Sequence, residues 1–99
     1  MSKTKKTTEI STILKERDVN YGNFSEQANI TMQLKVAIWD HLEKHHRLGD
    51  ITADQLESLH MICAKIGRIV NGNANYIDSW IDIAGYAKLV SDRLEKEFE

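Results

Sequence analysis

The 99-residue sequence contains no proline and a single cysteine, Cys63. One cysteine excludes an internal disulfide and a CxxC zinc framework. The absence of proline, with apolar residues that recur at helical spacing, predicts an all-α chain. A membrane span needs about 20 apolar residues, and no run in the sequence approaches that length. The basic start MSKTKKTTEIS is not followed by the apolar segment of a secretion signal. We therefore expect a cytoplasmic protein without a membrane partner.

The net charge is also small, at −2, and the sequence has no long basic block. The phosphate attraction that drives nucleic-acid binding then has little to act on, and we expect no nucleic-acid partner. With 41% hydrophobic and 28% charged residues, the composition predicts one all-α domain over residues 8–99 after a flexible basic tail over 1–7. Small domains bury little surface, so association with further copies is expected.

Four helices are predicted. Three of them cover about residues 8–17, 25–47 and 76–98, and the third helix opens with TADQ and ends at NGNAN. Ser25 is predicted to cap the second helix, and Gly49 to end it in the left-handed conformation. Thr52 and Gln55 have the capping-box spacing that starts a third helix, and the segment NGNAN suits the turn before the fourth.

The apolar faces of these helices predict a four-helix bundle-like domain that assembles as a homo-oligomer. Helix three divides into a core face of Leu56, Leu59, Cys63, Ile66 and Val70 and a polar face of Asp54, Glu57, Met61, Lys65 and Arg68. Helices two and four are apolar around more of their circumference, which favours contacts with other copies. Gly85 inside helix four costs about 1 kcal/mol relative to alanine, which indicates that another backbone comes close there.

A polar stripe on helix four raises the first functional question. Asp78, Asp82 and Tyr86 follow one another at four-residue spacing, and helix three can bring Lys65 and Arg68 to the same height. In one interpretation these acids and bases form a structural ion pair between helices. In the other, the cations hold a phosphate while the acids hold Mg²⁺, which prefers carboxylate oxygens and shares them with substrate phosphates.

Three segments carry a resemblance to a known family: ERDVNYGNF, ITADQLESLHMICAKIGRIVNG and DSWIDIAGYAKLV. Over residues 16–90 the chain resembles a family of short, largely uncharacterised phage and bacterial proteins. These share a YG turn, a KxxR helix and a D-S-W-x-D-x-A-G-Y-A helix. More distantly, it is similar to the MazG-like nucleoside triphosphate pyrophosphohydrolases, all-α enzymes that form dimers or tetramers and cleave triphosphates with Mg²⁺ held by acidic helix residues.

The resemblance implies roles for particular residues. Asp82 and Asp78 would hold Mg²⁺, Glu57 would be a third catalytic acid, and Lys65 and Arg68 would neutralise phosphate charge, beside Tyr86. The first acidic pair of the MazG-like group, ExxE, is not matched at its expected place. A non-catalytic protein that binds or sequesters a nucleotide is therefore the alternative.

The turn NYGNF supplies further candidate ligand contacts. Arg17 and Tyr21, with the cations of helix three, would offer phosphate contacts and an aromatic surface for a base near a subunit boundary. Gly22 permits an unusual turn that could present Tyr21; alternatively, Tyr21 only fixes the loop to the core. The remaining possibility is an oligomeric interaction protein without a small ligand. If a phage encodes the chain, the expected location is the cytoplasm of the bacterial host.

Overall fold

The computed structural model describes residues 2–98, with side chains from residue 9 onward. Its helices are α1 (Ser2–Tyr21), α2 (Phe24–Lys44), α3 (Ala53–Asn71) and α4 (Ile77–Glu97), with a short 3-10 helix at Leu48–Asp50. Residues 2–98 contain no strand, so the all-α prediction is confirmed. The side chains of residues 1–8 lie outside the described part, and the flexibility predicted for residues 1–7 stays a prediction.

The connection between α1 and α2 is shorter than predicted. The first helix continues past Arg17 to Tyr21, and only two residues separate it from α2. Gly22 takes the left-handed conformation with φ 76°, which glycine adopts without steric cost. Asn23 caps α2 by accepting a hydrogen bond from the Glu26 N–H at 3.1 Å. The predicted cap at Ser25 was therefore wrong by two residues, because asparagine supplies an equally good side-chain acceptor earlier in the chain.

The end of α2 also differs from the prediction. The helix stops at Lys44, and the left-handed residue is His46, with φ 56°, while Gly49 lies in the 3-10 helix. The His46 N–H donates to the Glu43 carbonyl at 3.1 Å and the Arg47 N–H to the Leu42 carbonyl at 2.7 Å. This is the Schellman pattern, in which the backbone bonds that close the helix outweigh the preference for glycine.

Helices α3 and α4 follow the prediction closely. Thr52 Oγ1 accepts from the Gln55 N–H at 3.4 Å, and the Gln55 side chain accepts from the Thr52 N–H at 2.9 Å. The capping box is thus confirmed. The end of α3 at Asn71, before Gly72, and the course of α4 from Ile77 also match, since local signals mark these boundaries.

The third helix is the centre of the fold. It packs against α2 on one side and α4 on the other, and α1 crosses near its end. The described residues bury one apolar side chain, Cys63, together with several polar ones: Gln27, Thr31, Ser58, Lys65 and Ser79. The prediction of a single core face on α3 was wrong, because a central helix is covered on two sides. Lys65, placed on the polar face, is only 8% exposed.

The molecule is open and elongated. Its radius of gyration is 17.3 Å and its extents are 56 × 32 × 28 Å, whereas a compact domain of this length has a radius of about 13 Å. Large apolar side chains remain exposed on all four helices. Among the described residues, no helix combines the length and the apolar character needed to cross a membrane.

Candidate functional site

The candidate site lies where the end of α1 meets the end of α3. The Asn71 side-chain amide donates to the Tyr21 carbonyl at 3.0 Å and to the Asn23 carbonyl at 2.8 Å. The Asn73 N–H donates to the Asn20 carbonyl at 2.7 Å. These bonds satisfy the carbonyls of the α1–α2 turn with groups from the α3–α4 turn, so the two turns are joined.

Glycine makes this close approach possible on both sides. A Cβ on Gly22 would lie 2.1 Å from the Asn71 carbonyl oxygen, and one on Gly72 would lie 2.3 Å from the Asn20 carbonyl oxygen. Neither distance is compatible with any other residue unless the backbone moves. The joined turns therefore hold the last residues of α1 at a fixed position against α3.

Tyr21 is the residue around which this corner is organised. The guanidinium carbon of Arg68 lies 4.6 Å from the centre of the Tyr21 ring, and that of Arg17 lies 5.6 Å from it. Both are within the about 6 Å range of cation–π attraction. Tyr76, the residue before α4, meets the Tyr21 ring edge-on at a centroid distance of 5.7 Å. Two cations and two aromatic rings from three parts of the chain thus meet in one subunit.

The positive charge of this corner is not neutralised locally. Within residues 9–98, neither Arg17 nor Arg68 forms an ion pair with a carboxylate. The Arg68 Nε atom is buried and has no hydrogen-bond acceptor in that part of the chain. A buried donor without a partner is costly, so this group has an unmet demand for an acceptor. Both guanidinium groups thus lack a carboxylate partner in the described part of the chain.

A cavity of about 330 Å³ adjoins Arg17 and Tyr21. Its lining residues are Leu14, Arg17, Asp18, Tyr21, Gly22, Phe24 and Gln27. The volume falls at the lower end of the range for small-ligand sites, about 300–1,000 Å³. Phe24 is 68% exposed, so an apolar aromatic surface stands beside the charged group of Arg17.

Tyr76 was not among the residues selected from the sequence. The Asp78 carboxylate beside its hydroxyl raises the pKa of Tyr76 above its usual value. Asp78 therefore lies on the Tyr76 side of the α4 start. The signal that could have found Tyr76 was an aromatic residue directly after the NGNAN turn, opposite the aromatic residue of the YG turn.

The predicted polar seam between α3 and α4 is formed by one pair. Lys65 Nζ lies 3.0 Å from Asp82 Oδ2; the lysine side chain is 10% exposed and the aspartate side chain 44% exposed. Arg68 does not join the seam, since its guanidinium stacks on Tyr21. The structural ion pair is therefore present, but its acid remains open to solvent on one side.

Tyr86 lies between two shallow hollows on this side of α3. One hollow, of about 400 Å³, is lined by Ile81, Asp82, Gly85, Tyr86 and Leu89. The other, of about 210 Å³, is lined by Asp54, Glu57, Ser58, Tyr86, Leu89 and Val90. Asp82 and Glu57 thus line different hollows, with Tyr86 common to both.

The residues present in one chain do not fit the magnesium site implied by the resemblance. In the described part of the chain, no three acidic, histidine or cysteine side chains come close enough to hold a metal ion. Asp82 contacts Lys65, Asp78 lies beside the Tyr76 hydroxyl, and Glu57 lines a separate hollow. A site with three such ligands would need an acid from another copy.

A second polar cluster, which was not predicted, closes the other end of the α3–α4 contact. Arg93 Nε donates to Asp54, and Arg93 Nη2 donates to Thr52 Oγ1 at 3.0 Å. The hydrogen bond from Arg93 lowers the pKa of Asp54 below its usual value. Nothing in the local sequence joins Arg93 to residues about 40 positions earlier, so this cluster arises from the tertiary fold.

A family model described as "Domain of unknown function (DUF6378)" matches residues 7–94. The chain belongs to the DUF6378 family. The match includes both turns of the candidate site and all of α3, and it confirms the expected membership of an uncharacterised family. No curated protein and no solved structure matches the chain. The similarity to MazG-like enzymes and the phage origin stay predictions.

Proposed function

We propose that this DUF6378 protein binds a nucleotide, or a similar phosphorylated small molecule, at the corner formed by Arg17, Tyr21 and Arg68. The observation that carries the proposal is the pair of guanidinium groups held on one tyrosine ring, at 5.6 Å and 4.6 Å. Neither is neutralised by a carboxylate within residues 9–98. Arginine suits this role, because its planar fork matches phosphate oxygens.

The adjoining cavity supports a ligand with an apolar ring as well as a phosphate. Arg17 and Tyr21 line it together with Leu14 and the exposed ring of Phe24. Aromatic and aliphatic surface beside a fixed cation suits a nucleoside, whose base stacks on apolar faces while its phosphate seeks positive charge. Tyr21 therefore orients the arginines in this proposal, and Phe24 offers the surface for the base.

The proposal is one of binding rather than hydrolysis. Lys65 is occupied by Asp82 at 3.0 Å, and the acids expected to hold Mg²⁺ do not form a three-ligand group within the described chain. We therefore derive no catalytic step through a metal. Magnesium-dependent pyrophosphohydrolysis remains a prediction of the resemblance, and it would show itself as pyrophosphate release from nucleoside triphosphates in the presence of Mg²⁺.

Self-association forms part of the proposed function. The described chain buries one apolar side chain, Cys63, and leaves large apolar residues exposed on every helix. Exposed apolar surface of this extent marks sites of association in soluble proteins. We therefore propose that the protein acts as a homo-oligomer whose subunits each carry the arginine corner.

Calorimetric titration with nucleoside mono-, di- and triphosphates, inorganic phosphate and pyrophosphate tests the binding site. Arg17→Ala should weaken nucleotide binding by at least about tenfold, the usual effect of losing a charge-assisted hydrogen bond. Arg17 is exposed, so this change should not disturb the fold. Arg68→Lys keeps the charge and removes the fork, and it should also weaken binding.

Arg47→Ala is the matched control, because Arg47 is an exposed arginine paired with Asp50 at 3.3 Å, away from the corner. It should bind like the natural sequence. Equal affinity in the Arg17 and Arg47 variants would refute the site. No binding of any phosphorylated compound would refute the function and favour an interaction protein without a small ligand.

A further inference from the structure

One face of α4 has no partner within the described chain. Ile77, Ile81, Ala84 and Gly85 follow one another at the spacing that places them on one side of the helix. Ile77 is 64% exposed and Ile81 is 56% exposed. Ser79, on the opposite side, is 3% exposed, so the four residues face away from α3. We call them the outer face of α4.

No contact within its own subunit explains why residue 85 is a glycine. Outside its own helix backbone and chain neighbours, no atom of the described chain lies within 4 Å of the position that a Cβ would take there. Gly67 in α3 is different, because its missing Cβ leaves room for Thr31. Glycine is a poor helix former, so a helix glycine without a neighbour indicates a contact made by another molecule.

The exposed area of the chain is large enough for a stable interface. Its accessible surface is 7558 Å², while a monomeric protein of this mass exposes about 5,800 Å². The total includes the first eight residues. The excess is roughly 1,800 Å², and a standard interface removes about 800 Å² from each partner. Burial of one face against a second copy is therefore within the available surface.

The outer face ends within α4, which favours a crossing contact. Beyond Gly85 the helix carries the ion pairs Lys88–Asp92 at 3.0 Å and Arg93–Glu97 at 2.6 Å. These charged side chains do not suit an apolar contact along the whole helix. Small residues at the point where two helices cross allow their backbones to approach closely.

We propose that the outer face of α4 packs against the same face of a second copy, with the two α4 helices crossing at Ala84 and Gly85. This assignment rests on the self-association included in the proposed function. An isologous contact of this kind closes as a dimer. It would also cover the hollow lined by Ile81, Asp82, Gly85, Tyr86 and Leu89, so that Asp82 and Tyr86 lie at the subunit boundary.

The exposed face of α2 is the competing surface. Met32, Val36 and Trp39 are 55%, 50% and 44% exposed, but the Trp39 indole donates to Glu43 within the same helix at 3.1 Å. The face contains no glycine that the chain leaves unexplained. A substitution there serves as the control for the α4 contact.

Sedimentation equilibrium without nucleotide tests the interface, so its outcome is independent of ligand binding. We expect the natural protein to be a dimer at micromolar concentration. Gly85→Leu should raise the dimer dissociation constant at least tenfold while the helical circular dichroism spectrum is retained, since the position is open within the subunit. Ile77→Lys should act in the same direction, and Met32→Lys should leave the mass unchanged.

Gly85→Ala separates the proposal from a purely monomeric explanation. In a monomer, alanine at an open helix position should raise the Tm by about 4–8 °C through helix propensity. At the proposed crossing, the added methyl groups should weaken the dimer instead. A natural protein that is monomeric at all concentrations would overturn the proposal. So would a dimer that survives both Gly85→Leu and Ile77→Lys, or one that Met32→Lys dissociates.

Discussion

The two sides of α3 are held by different kinds of contact. On the α2 side, Gly67 lets the helices approach so closely that a Cβ there would lie 2.4 Å from Thr31 Oγ1. On the α4 side, directional polar contacts join the two helices along their length. Ser58 donates to the Tyr86 carbonyl at 2.9 Å, and the ion pairs Lys65–Asp82 and Arg93–Asp54 lie along the same side.

The α2–α3 contact is therefore fixed by shape, whereas the α3–α4 contact, with its ion pairs, is adjustable. A contact made by shape has little dependence on salt or pH, but it does not tolerate an extra methyl group. Ion pairs with exposed partners tolerate substitution better and respond to solution conditions. Both hollows beside Tyr86 lie on the adjustable side. The α3–α4 contact should therefore be the more sensitive of the two to salt and pH.

Substitution in the shape-determined contact should have the largest effect. Gly67→Ala should lower the free energy of unfolding by about 1–3 kcal/mol, because the new methyl group overpacks the contact with Thr31. Urea denaturation measures the change. Gly49→Ala is the control, since no atom lies within 4 Å of its Cβ position, and it should unfold close to the natural midpoint.

The double variant Gly67→Ala with Thr31→Ala sharpens this test. Thr31 Oγ1 is the nearest atom to the new methyl group, so its removal should restore part of the lost stability, and the two effects should not add. A Gly67→Ala protein that unfolds at or above the natural urea concentration would show that the α2–α3 contact is not fixed by shape.

An intermediate effect is expected from the Lys65–Asp82 pair. Asp82→Ala leaves the buried Lys65 ammonium without its carboxylate. The cost should be about 1–2 kcal/mol, below the usual value for a buried pair, because the Asp82 side chain is 44% exposed. Lys65→Met removes the buried charge itself and should cost less than Asp82→Ala. If urea unfolding gives the reverse order, the ion pair does not stabilise the α4 side.

The smallest effect is expected from the pair at the far end. The hydrogen bond from Arg93 holds the pKa of Asp54 below its ordinary value of 3.8. A carboxylate with a lowered folded-state pKa stabilises the fold at pH values above that ordinary pKa. This contribution is lost as the pH falls through the lower folded-state pKa.

Thermal unfolding at a series of pH values tests this contribution. Asp54→Asn should lower the Tm slightly at pH 7, and the difference from the natural protein should shrink below about pH 4. Arg93→Leu should show the same pH dependence, because it removes the same pair from the other partner. A Tm difference that stays constant down to pH 2 would contradict the assignment.

The sequence predicted best where the determining signals are local. The capping box at Thr52 and the turn before α4 gave the right boundaries, since each depends on residues only a few positions apart. The end of α1 was wrong because Asp18, Val19 and Asn20 suit a turn in isolation but continue the helix here. His46 took the place expected of Gly49 because backbone bonds to Leu42 and Glu43 determine that helix end.

The candidate site was predictable in composition but not in arrangement. Arg17, Tyr21 and Arg68 were identified as ligand candidates, and the structure places them together. Lys65 was assigned to the same group, yet it is buried against Asp82. Helical periodicity gives the face of one helix but not which neighbour covers it. The central position of α3 and the part played by Tyr76 could therefore not be inferred.

Thr52 has a second role beyond starting α3. Its hydroxyl oxygen accepts from the Gln55 N–H and from Arg93, 41 residues later. On the ribosome, the capping box can form locally, but the hydrogen bond to Thr52 must wait for that guanidinium. At about 5–20 residues per second, translation needs roughly 2–8 s to supply it. During that interval the nascent chain has the capping box of its central helix but lacks the hydrogen bond from Arg93 to Thr52.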